Sequence, residues 1–424
     1  MDISIKEIFE NVYDNSEAPD LTTFVTHPYS LETDIDPVSK IFQTFQSTKS
    51  SPAIAIFYFF AIMSHWNLLH GVTYKIPKDF RQHSPNLWLM ALAHSGASKS
   101  QQLALIDSLL PSDELKSSFK QPASPQSLIA QFAEKPIHLW VEDEAAKYLK
   151  QMETFTNPLS PIKGHLLKIK GGDSLTYHSK KDGEVVIKNP KMSVYFVNTI
   201  LGMINTISEE SMYDGFLSRI GLVLSEITEQ MQTDIEKNFP EHLHGIGSIE
   251  NSGLKDDLIK IFEQDIENKE YTFTKEAQAT YEATVSSLVF SFKWMQGEKN
   301  QYSPFFNRTV LESFKYAIFH HQFKMKEGDE IDGFDVEYGL LVSRYHLCSF
   351  ARYLQLQAQQ KNALKIPVVE KIKNGIIRRD NALKDRIQSY LRKHPNASLR
   401  DIYRSLTIKK SEAEEILKEL NIIL

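Results

Sequence analysis

Residues 87–111 constrain the fold more than any other part of the chain. They read LWLMALAHSGASKSQQLALIDSLLP, an apolar run that meets a helical pattern across a short turn. The run from Leu87 to Leu92 has the length of a buried strand. The apolar positions after the turn recur at helical spacing, at Leu103, Ile106, Leu109 and Leu110. A strand followed at once by a helix predicts an α/β fold, because such units build parallel sheets.

The turn in this segment matches part of the phosphate-loop pattern G-x-x-x-x-G-K-[ST]. Lys99 and Ser100 fit the pattern, whereas Ala93 and Ser98 stand where its glycines belong. In such a loop, backbone N–H groups hold the phosphates of ATP, the lysine reaches the β- and γ-phosphates, and the hydroxyl ligates Mg²⁺. The expected nucleotide contacts are Gly96, Ala97, Ser98, Lys99 and Ser100.

The two missing glycines differ in consequence. Ala93 is a mild change, because its position needs a small residue more than a positive φ. Ser98 is more serious, since its side chain narrows the approach to phosphate and a left-handed conformation there costs about 1 kcal/mol. Gly96 retains part of the backbone freedom that the two missing glycines would have given the loop. The alternative is a plain strand–turn–helix in which Lys99 and Ser100 bind nothing.

A second motif favours the nucleotide interpretation. The apolar run IHLWVED ends in Asp143, with Glu144 next, and a helical pattern follows. In an ATPase of this kind the aspartate would hold the magnesium ion together with Ser100. The glutamate would polarise the attacking water. The alternative is an acidic turn in contact with solvent.

Two other polar residues flank apolar strands. Asn198 lies near the end of the run MSVYFVNT. There its amide would lie between magnesium and the γ-phosphate. The alternative is an asparagine that merely ends a strand at a turn. Arg219 precedes RIGLVLSE, from where an arginine would reach a phosphate in its own or a neighbouring subunit; the alternative is a surface arginine. The candidate catalytic residues are Glu144, Asn198 and Arg219.

The order of patterns along the chain predicts four regions. Residues 1–50 form an N-terminal segment with short helices. Between residues 51 and 250, strands alternate with helices, which predicts a P-loop ATPase core with a mainly parallel sheet covered on both faces. The dipeptide Asp182–Gly183 adds a hairpin signal there. Residues 251–370 show long helical periodicity and predict an all-helical region.

Residues 371–424 predict a basic module of three short helices, of the helix-turn-helix or winged-helix kind. Ser398 and Asp401 have capping-box-like spacing at the second helix. The module has 13 basic and 7 acidic residues, the charge pattern of DNA contact. Its last helix is acidic, so DNA contacts are expected from Arg400, Arg404, Lys409 and Lys410. The alternative is a protein-docking module of the same fold.

Composition narrows the classes of protein. The net charge of −6 over 424 residues excludes a uniformly basic nucleic-acid binder. Cys348 is the only cysteine, which excludes a cysteine-rich zinc site. His320 and His321 lack further ligands at a strong spacing, so they are expected to be ordinary packing or surface residues. The polar, acidic start is not a signal peptide, and the most apolar run is about half the length that spans a bilayer. A cytoplasmic protein without membrane contact is expected.

Four of these features resemble, in this order, the DUF3987 family of P-loop proteins, relatives of phage and plasmid replicative helicases. They are a buried helix before GVTYKI, the segment LWLMALAHSGASKS, VEDEAA, and NPKMSVYFVNT with GFLSRI, over about residues 50–226. The resemblance implies a RecA-like ATPase core from prophages or mobile elements, in replication or phage defence. The family normally has a glycine where Ser98 stands. The resemblance assigns the roles given above to Lys99, Ser100, Asp143, Glu144, Asn198 and Arg219.

Two functions are therefore expected. The first is a magnesium-dependent ATPase that hydrolyses ATP weakly, acts on DNA in a helicase-like or replicative role, and forms a homo-oligomer in which Arg219 acts across an interface. The second is a catalytically inactive P-loop scaffold or DNA-binding protein in a multi-protein complex. Ser98 favours the second, and the intact pairs Lys99–Ser100 and Asp143–Glu144 favour the first.

Overall fold

A computed structural model gives the fold. It describes residues 19–25, 35–47, 51–179, 183–206, 215–226, 253–297 and 300–394, with a few positions beyond. The chain divides into two compact units, Met1–Leu354 and Gln355–Leu424. The three described sheets and the predicted phosphate loop belong to the first unit.

The described strands are β1 (Thr73–Lys75), β2 (Gln82–His83), β3 (Trp88–Ala93), β4 (Ile137–Asp143), β5 (Leu175–Ser179), β6 (Gly183–Ile187), β7 (Lys191–Thr199), β8 (Gly221–Ser225), β9 (Glu270–Phe273) and β10 (Glu330–Ile331). The described helices are α1 (Thr22–Val25), α2 (Pro37–Ser47), α3 (Ala53–Leu69), α4 (Lys99–Leu109), α5 (Pro125–Glu134), α6 (Ala145–Glu153), α7 (Ser160–Gly171), α8 (Ile200–Thr206), α9 (Leu254–Phe262), α10 (Lys275–Ser291), α11 (Ser303–Phe323) and α12 (Gly333–Lys393). The predicted α/β class is confirmed, and β5 and β6 form the predicted antiparallel hairpin.

Four parallel strands form the central sheet in the order β4–β7–β3–β8. Trp88 of β3 is opposite Val194 of β7, and Leu89 is opposite Gly221 of β8. Because the strands are parallel, the residues after β3, β4, β7 and β8 share one border, here named the carboxyl edge. The residues before these strands share the opposite border, the amino edge. The chain runs from β3 to β4 and only later inserts β7 between them.

Helices cover both faces of this sheet. On one face lies α3, where the Tyr195 hydroxyl donates a 2.6 Å hydrogen bond to the Ile54 carbonyl oxygen. On the other face Trp140 of β4 packs edge-on against Phe196 of β7 and against Tyr148 of α6. Burial on both faces explains why these strands read as continuous apolar runs rather than alternating patterns.

Helix α3 is the centre of the core. All its side chains from Ala53 to Leu68 are buried, so it has no polar face and packs inside the protein. The Phe57 ring stacks on Tyr345 of α12, with 5.2 Å between ring centroids, and meets Phe24 of α1 edge-on. Within the described ranges, neither α3 nor any other helix combines the length and the apolarity that a membrane crossing needs.

A second, smaller sheet corrects the prediction of an all-helical region at residues 251–370. Its strand order is β10–β9–β1–β2, and Tyr271 of β9 pairs in parallel with Tyr74 of β1. Strands β9 and β10 have only 4 and 2 residues. Such short strands leave no two-residue periodicity that a sequence pattern could reveal.

Helices α11 and α12 pack through aromatic and histidine side chains. The rings of Phe305 and Phe350 stack with 4.1 Å between centroids. His320 and His321 are buried, and their Nδ1 atoms lie 2.6 and 3.1 Å from the two carboxylate oxygens of Asp335. Burial alone would raise the pKa of Asp335, but the two histidine hydrogen bonds outweigh it and hold that pKa below its usual value. Both histidines of α11 are thus buried and hydrogen-bonded to α12 through Asp335.

In the second unit, α12 continues as one helix to Lys393. The predicted first short helix of the basic module is thus part of a longer helix. The Ser398 hydroxyl donates a 2.6 Å hydrogen bond to the Asp401 carboxylate, which accepts another at 2.9 Å from the Ser398 N–H. The capping pair is therefore present. Most of the predicted second and third helices lies outside the described residues.

Replacing Phe57 by alanine tests the role of α3. We expect Phe57→Ala to lower the free energy of unfolding by about 3–5 kcal/mol, because the ring is fully buried among other rings. The matched control is Phe290→Ala, whose ring is 82% exposed and whose loss should change stability by less than about 0.5 kcal/mol. Urea unfolding measures both. Equal effects would contradict a core built on α3.

Candidate nucleotide-binding site

The predicted phosphate loop lies at the carboxyl edge, between β3 and α4. Strand β3 is buried along its whole length and ends at Ala93, and α4 begins at Lys99. Two residues of the loop have positive φ, Gly96 at 82° and Ser98 at 51°. The loop therefore needs two left-handed residues, of which only one is glycine. Ser98 adopts the conformation that its position in the motif predicts, at a cost of about 1 kcal/mol.

Lys99 folds back over its own loop. Its ammonium donates a 3.2 Å hydrogen bond to the carbonyl oxygen of His94. The Ala97 N–H reaches the same carbonyl at 3.4 Å, which closes the turn. The lysine ammonium thus lies over the loop. A phosphate bound there would replace the His94 carbonyl oxygen as its hydrogen-bond acceptor.

The decisive contact joins the two predicted motifs. The Ser100 hydroxyl donates a 2.6 Å hydrogen bond to Oδ2 of Asp143, and both residues are exposed at the carboxyl edge. Octahedral magnesium holds its oxygen ligands at about 2.1 Å, so two adjacent ligands lie roughly 3 Å apart. The Ser100 and Asp143 oxygens therefore have nearly the spacing of two ligands of one ion. They fit Mg²⁺ by geometry and by oxygen chemistry.

The acidic turn after β4 is shaped around the Asp143 carboxylate. Glu144 has a left-handed backbone, φ 57°, and begins α6. Its N–H donates a 2.9 Å hydrogen bond to Oδ1 of Asp143. Asp143 therefore receives one bond from the loop and one from its own turn, and its orientation is fixed by both. The Glu144 side chain is exposed at the same edge.

Asn198 lies between the loop strand and the acidic strand. It is opposite Leu92 of β3, and β7, to which it belongs, is hydrogen-bonded on its other side to β4. The side chain is 3% exposed, and within the described part of the chain its amide nitrogen has no hydrogen-bond partner. A buried amide with an unused donor is costly unless something else accepts the bond. The role of Asn198 as a phosphate sensor stays a prediction.

The structure separates Arg219 from the other candidates. It lies in a short 3-10 turn, Leu217–Arg219, directly before β8 and therefore at the amino edge. Its guanidinium donates to the Gly215 carbonyl oxygen. Because the whole length of the sheet lies between this edge and the loop, the expected contact with a phosphate in the same chain does not fit the fold. A contact with a neighbouring subunit stays a prediction.

A salt bridge at the carboxyl edge was not foreseen from the sequence. Glu226 follows β8, next to the end of β3, and its carboxylate binds Arg352 of α12 with N–O distances of 2.9 to 3.2 Å. The two residues are 126 positions apart, so no sequence spacing signals the pair. The fold thus brings Arg352 to the border that holds the loop.

The predicted DNA contacts cannot be placed. Arg400, Arg404, Lys409 and Lys410 lie outside the described residues.

The acidic and histidine side chains that are described form no cluster of three or more that could hold a metal ion. Any magnesium at the Ser100–Asp143 pair would therefore take its other ligands from phosphate and water, which is how proteins commonly bind Mg²⁺.

The comparisons with known proteins leave the family open. No family model matches the chain, and no curated protein matches it either. The resemblance to the DUF3987 family therefore stays a prediction.

Comparing two replacements of Ser98 measures the strain in the loop. Ser98→Gly and Ser98→Ala both remove the hydroxyl, but only glycine removes Cβ from a residue with φ 51°. We expect the glycine variant to be more stable than the alanine variant by about 1 kcal/mol. Urea unfolding gives the difference. If the two variants are equally stable, Ser98 is not strained.

Proposed function

We propose that the chain binds ATP with Mg²⁺ at the carboxyl edge of its central sheet and hydrolyses it slowly. One observation carries the proposal, the 2.6 Å hydrogen bond between Ser100 and Asp143. Two motifs far apart in the sequence, each ambiguous alone, meet with the residue types and spacing that a magnesium–phosphate site requires.

The strand order supports the same conclusion. Ligands of open parallel sheets bind beyond the carboxyl ends of the strands, where the chain changes direction across the sheet. Strand β3 is such a point, because the chain passes from it to β4 on one side and later returns to β8 on the other. The loop of residues 94–98 lies at this point. Its position favours a ligand site over an incidental turn.

Each side chain has a distinct part in the proposed reaction. The N–H groups of the loop and the first turn of α4 would hold the phosphates, and Lys99 would leave the His94 carbonyl to bind them. Ser100 and Asp143 would hold Mg²⁺, which when bound offsets the charge of the β- and γ-phosphates. Glu144 would orient the attacking water and take its proton. Asn198 would donate its unused N–H to the γ-phosphate.

A RecA-like core, DNA as the partner and a homo-oligomer belong to the same proposal. The basic composition of residues 371–424 supports DNA contact. The place of Arg219 at the amino edge agrees with action across a head-to-tail interface, in which the amino edge of one copy faces the carboxyl edge of the next.

An inactive scaffold is the second candidate, and Ser98 favours it. Its Cβ lies in the part of the loop where a backbone should approach phosphate, and Lys99 already has an acceptor in His94. A protein of this kind would bind nucleotide weakly, without turnover. Measurements of binding and of hydrolysis separate the two candidates.

Lys99→Ala and Glu144→Gln are the variants that test the proposal. We expect Lys99→Ala to weaken ATP binding by about tenfold or more, because a charged contact to phosphate is lost. Glu144→Gln should leave binding intact and lower turnover by about a hundredfold or more, since its role is in the chemical step. The controls are Lys147→Ala and Glu134→Gln, which change exposed residues of the same types.

Calorimetry with ATP and Mg²⁺, and phosphate release with and without single- and double-stranded DNA, give the result. Turnover that DNA stimulates and Glu144→Gln abolishes supports the ATPase. Binding lost in Lys99→Ala without turnover in the parent protein supports the scaffold. No binding by the parent protein would overturn the proposed site.

Asp143→Asn tests the magnesium part of the proposal. An amide oxygen without charge is a weaker magnesium ligand than a carboxylate, so we expect the Mg²⁺ concentration for half-maximal ATP binding to rise about tenfold or more. Asp113→Asn is the control, because Asp113 is an exposed aspartate paired with Lys116. Titration of Mg²⁺ at fixed ATP measures the shift. An unchanged requirement would place the metal elsewhere.

A further inference from the structure

A basic cavity lies at the amino edge, opposite the loop. Its volume is about 540 Å³, within the usual range of small-molecule sites. The residues before β3, β7 and β8 form part of its wall, and the hairpin of β1 and β2, the end of α7 and helix α11 form the rest. Five of its lining side chains are basic, and they are Lys170, Lys191, Arg219, Arg308 and Lys315.

Arg219 and Arg308 form one basic group in this cavity. Both guanidinium groups donate to the carbonyl oxygen of Gly215, and Arg308 also donates to the Ser218 hydroxyl. Among the residues that the structure describes, neither arginine has a carboxylate within ion-pair distance. Burial, and then the charge of Arg219, lower the pKa of Arg308. Two like charges thus lie together on neutral acceptors.

Lys170 and Lys315 form the other group, around Glu312. Their ammonium nitrogens lie 3.3 and 2.5 Å from its carboxylate oxygens, and both donate to the Asn86 carbonyl oxygen at 3.0 and 2.6 Å. The two lysine side chains are only 8% and 7% exposed. Burial lowers the pKa of Lys170 to about 7. Lys170 is therefore only partly charged near pH 7, and the Glu312 carboxylate serves both buried lysines.

The charges that line the cavity do not balance. Among the described residues that line it, Glu312 is the acidic one, against four basic side chains besides the partly charged Lys170. Buried charges are normally paired, because an unpaired charge loses its hydration without compensation. A bound anion with two or more negative charges would restore the balance and would also accept hydrogen bonds from both groups.

We propose that this cavity binds a small phosphate-bearing molecule, at a site separate from the nucleotide loop. Paired guanidinium groups match the geometry of phosphate oxygens, which accept two parallel hydrogen bonds from one arginine. The cavity is concave and built from five separate parts of the chain, which suits a compact ligand. The inference does not depend on ATP hydrolysis, and it assigns Arg219 to this cavity instead of to the phosphate of a neighbouring subunit.

Inorganic tripolyphosphate is the probe, titrated by calorimetry into the full-length chain. The measurement uses Lys99→Ala, in which the loop has lost its phosphate-binding lysine. In this background we expect the probe to bind at one site. Arg308→Gln and Arg219→Gln should each weaken that binding about tenfold or more, because a charged hydrogen-bonding group is lost. Arg308→Lys keeps the charge without the planar fork and should lose less.

Arg81→Gln, in the same background, is the matched control. Arg81 lies beside the cavity-lining Gln82, but its guanidinium pairs with Asp79 at 2.8 Å and faces solvent. It should bind the probe as the background protein does. Thermal unfolding of each variant separates lost binding from lost folding, and Arg308→Lys gives a second measurement if Arg308→Gln is unstable.

Three results would overturn the inference. One is the absence of tripolyphosphate binding in the Lys99→Ala background. Another is equal binding by Arg308→Gln, Arg308→Lys and Arg81→Gln. The third is that a single-stranded oligonucleotide binds, and loses its binding in Arg308→Gln, while tripolyphosphate does not bind. The cavity would then hold a nucleic-acid backbone and not a small molecule. If the Lys99→Ala protein loses ATP but keeps the tripolyphosphate site, the two sites are independent.

Discussion

The parallel alignment of β3 and β4 with β7 between them is the constraint on which the candidate site depends. Parallel strands end at the same border, so the loop after β3 and the acidic turn after β4 meet there although a helix pair separates them in sequence. The Ser100–Asp143 hydrogen bond is the direct consequence. Strand β7 also places the unused amide donor of Asn198 between them. The buried helix α3 lies across the sheet and keeps this arrangement.

The elements were predictable where the signal is local. Strand β3 and helix α4 follow from apolar runs and helical spacing, and Asp143 was expected at a strand end. The strand order was not predictable, because it depends on packing between distant segments. The same holds for Arg219, whose place before β8 sets it at the amino edge, and for the pair of Glu226 and Arg352. Short strands such as β9 leave no periodicity at all.

The two edges of the sheet have opposite electrostatic character. At the carboxyl edge Asp143 and Glu144 are acidic and exposed near Lys99, an arrangement that would suit the proposed cation and phosphate ligand. At the amino edge, buried lysines and arginines surround Glu312, an arrangement that needs an anion. Ser98 weakens the first site without removing any of its charged side chains. The proposed magnesium–nucleotide site therefore keeps its charged side chains on a strained loop.

The most direct test is a crystal structure with a non-hydrolysable ATP analogue and Mn²⁺ in place of Mg²⁺. The anomalous signal of manganese locates the metal independently of the nucleotide. The account predicts one manganese ion bound by Ser100 and Asp143, with Lys99 moved from the His94 carbonyl to the β- and γ-phosphates. A structure in which nucleotide and manganese bind elsewhere, while the Ser100–Asp143 hydrogen bond stays intact, would contradict it.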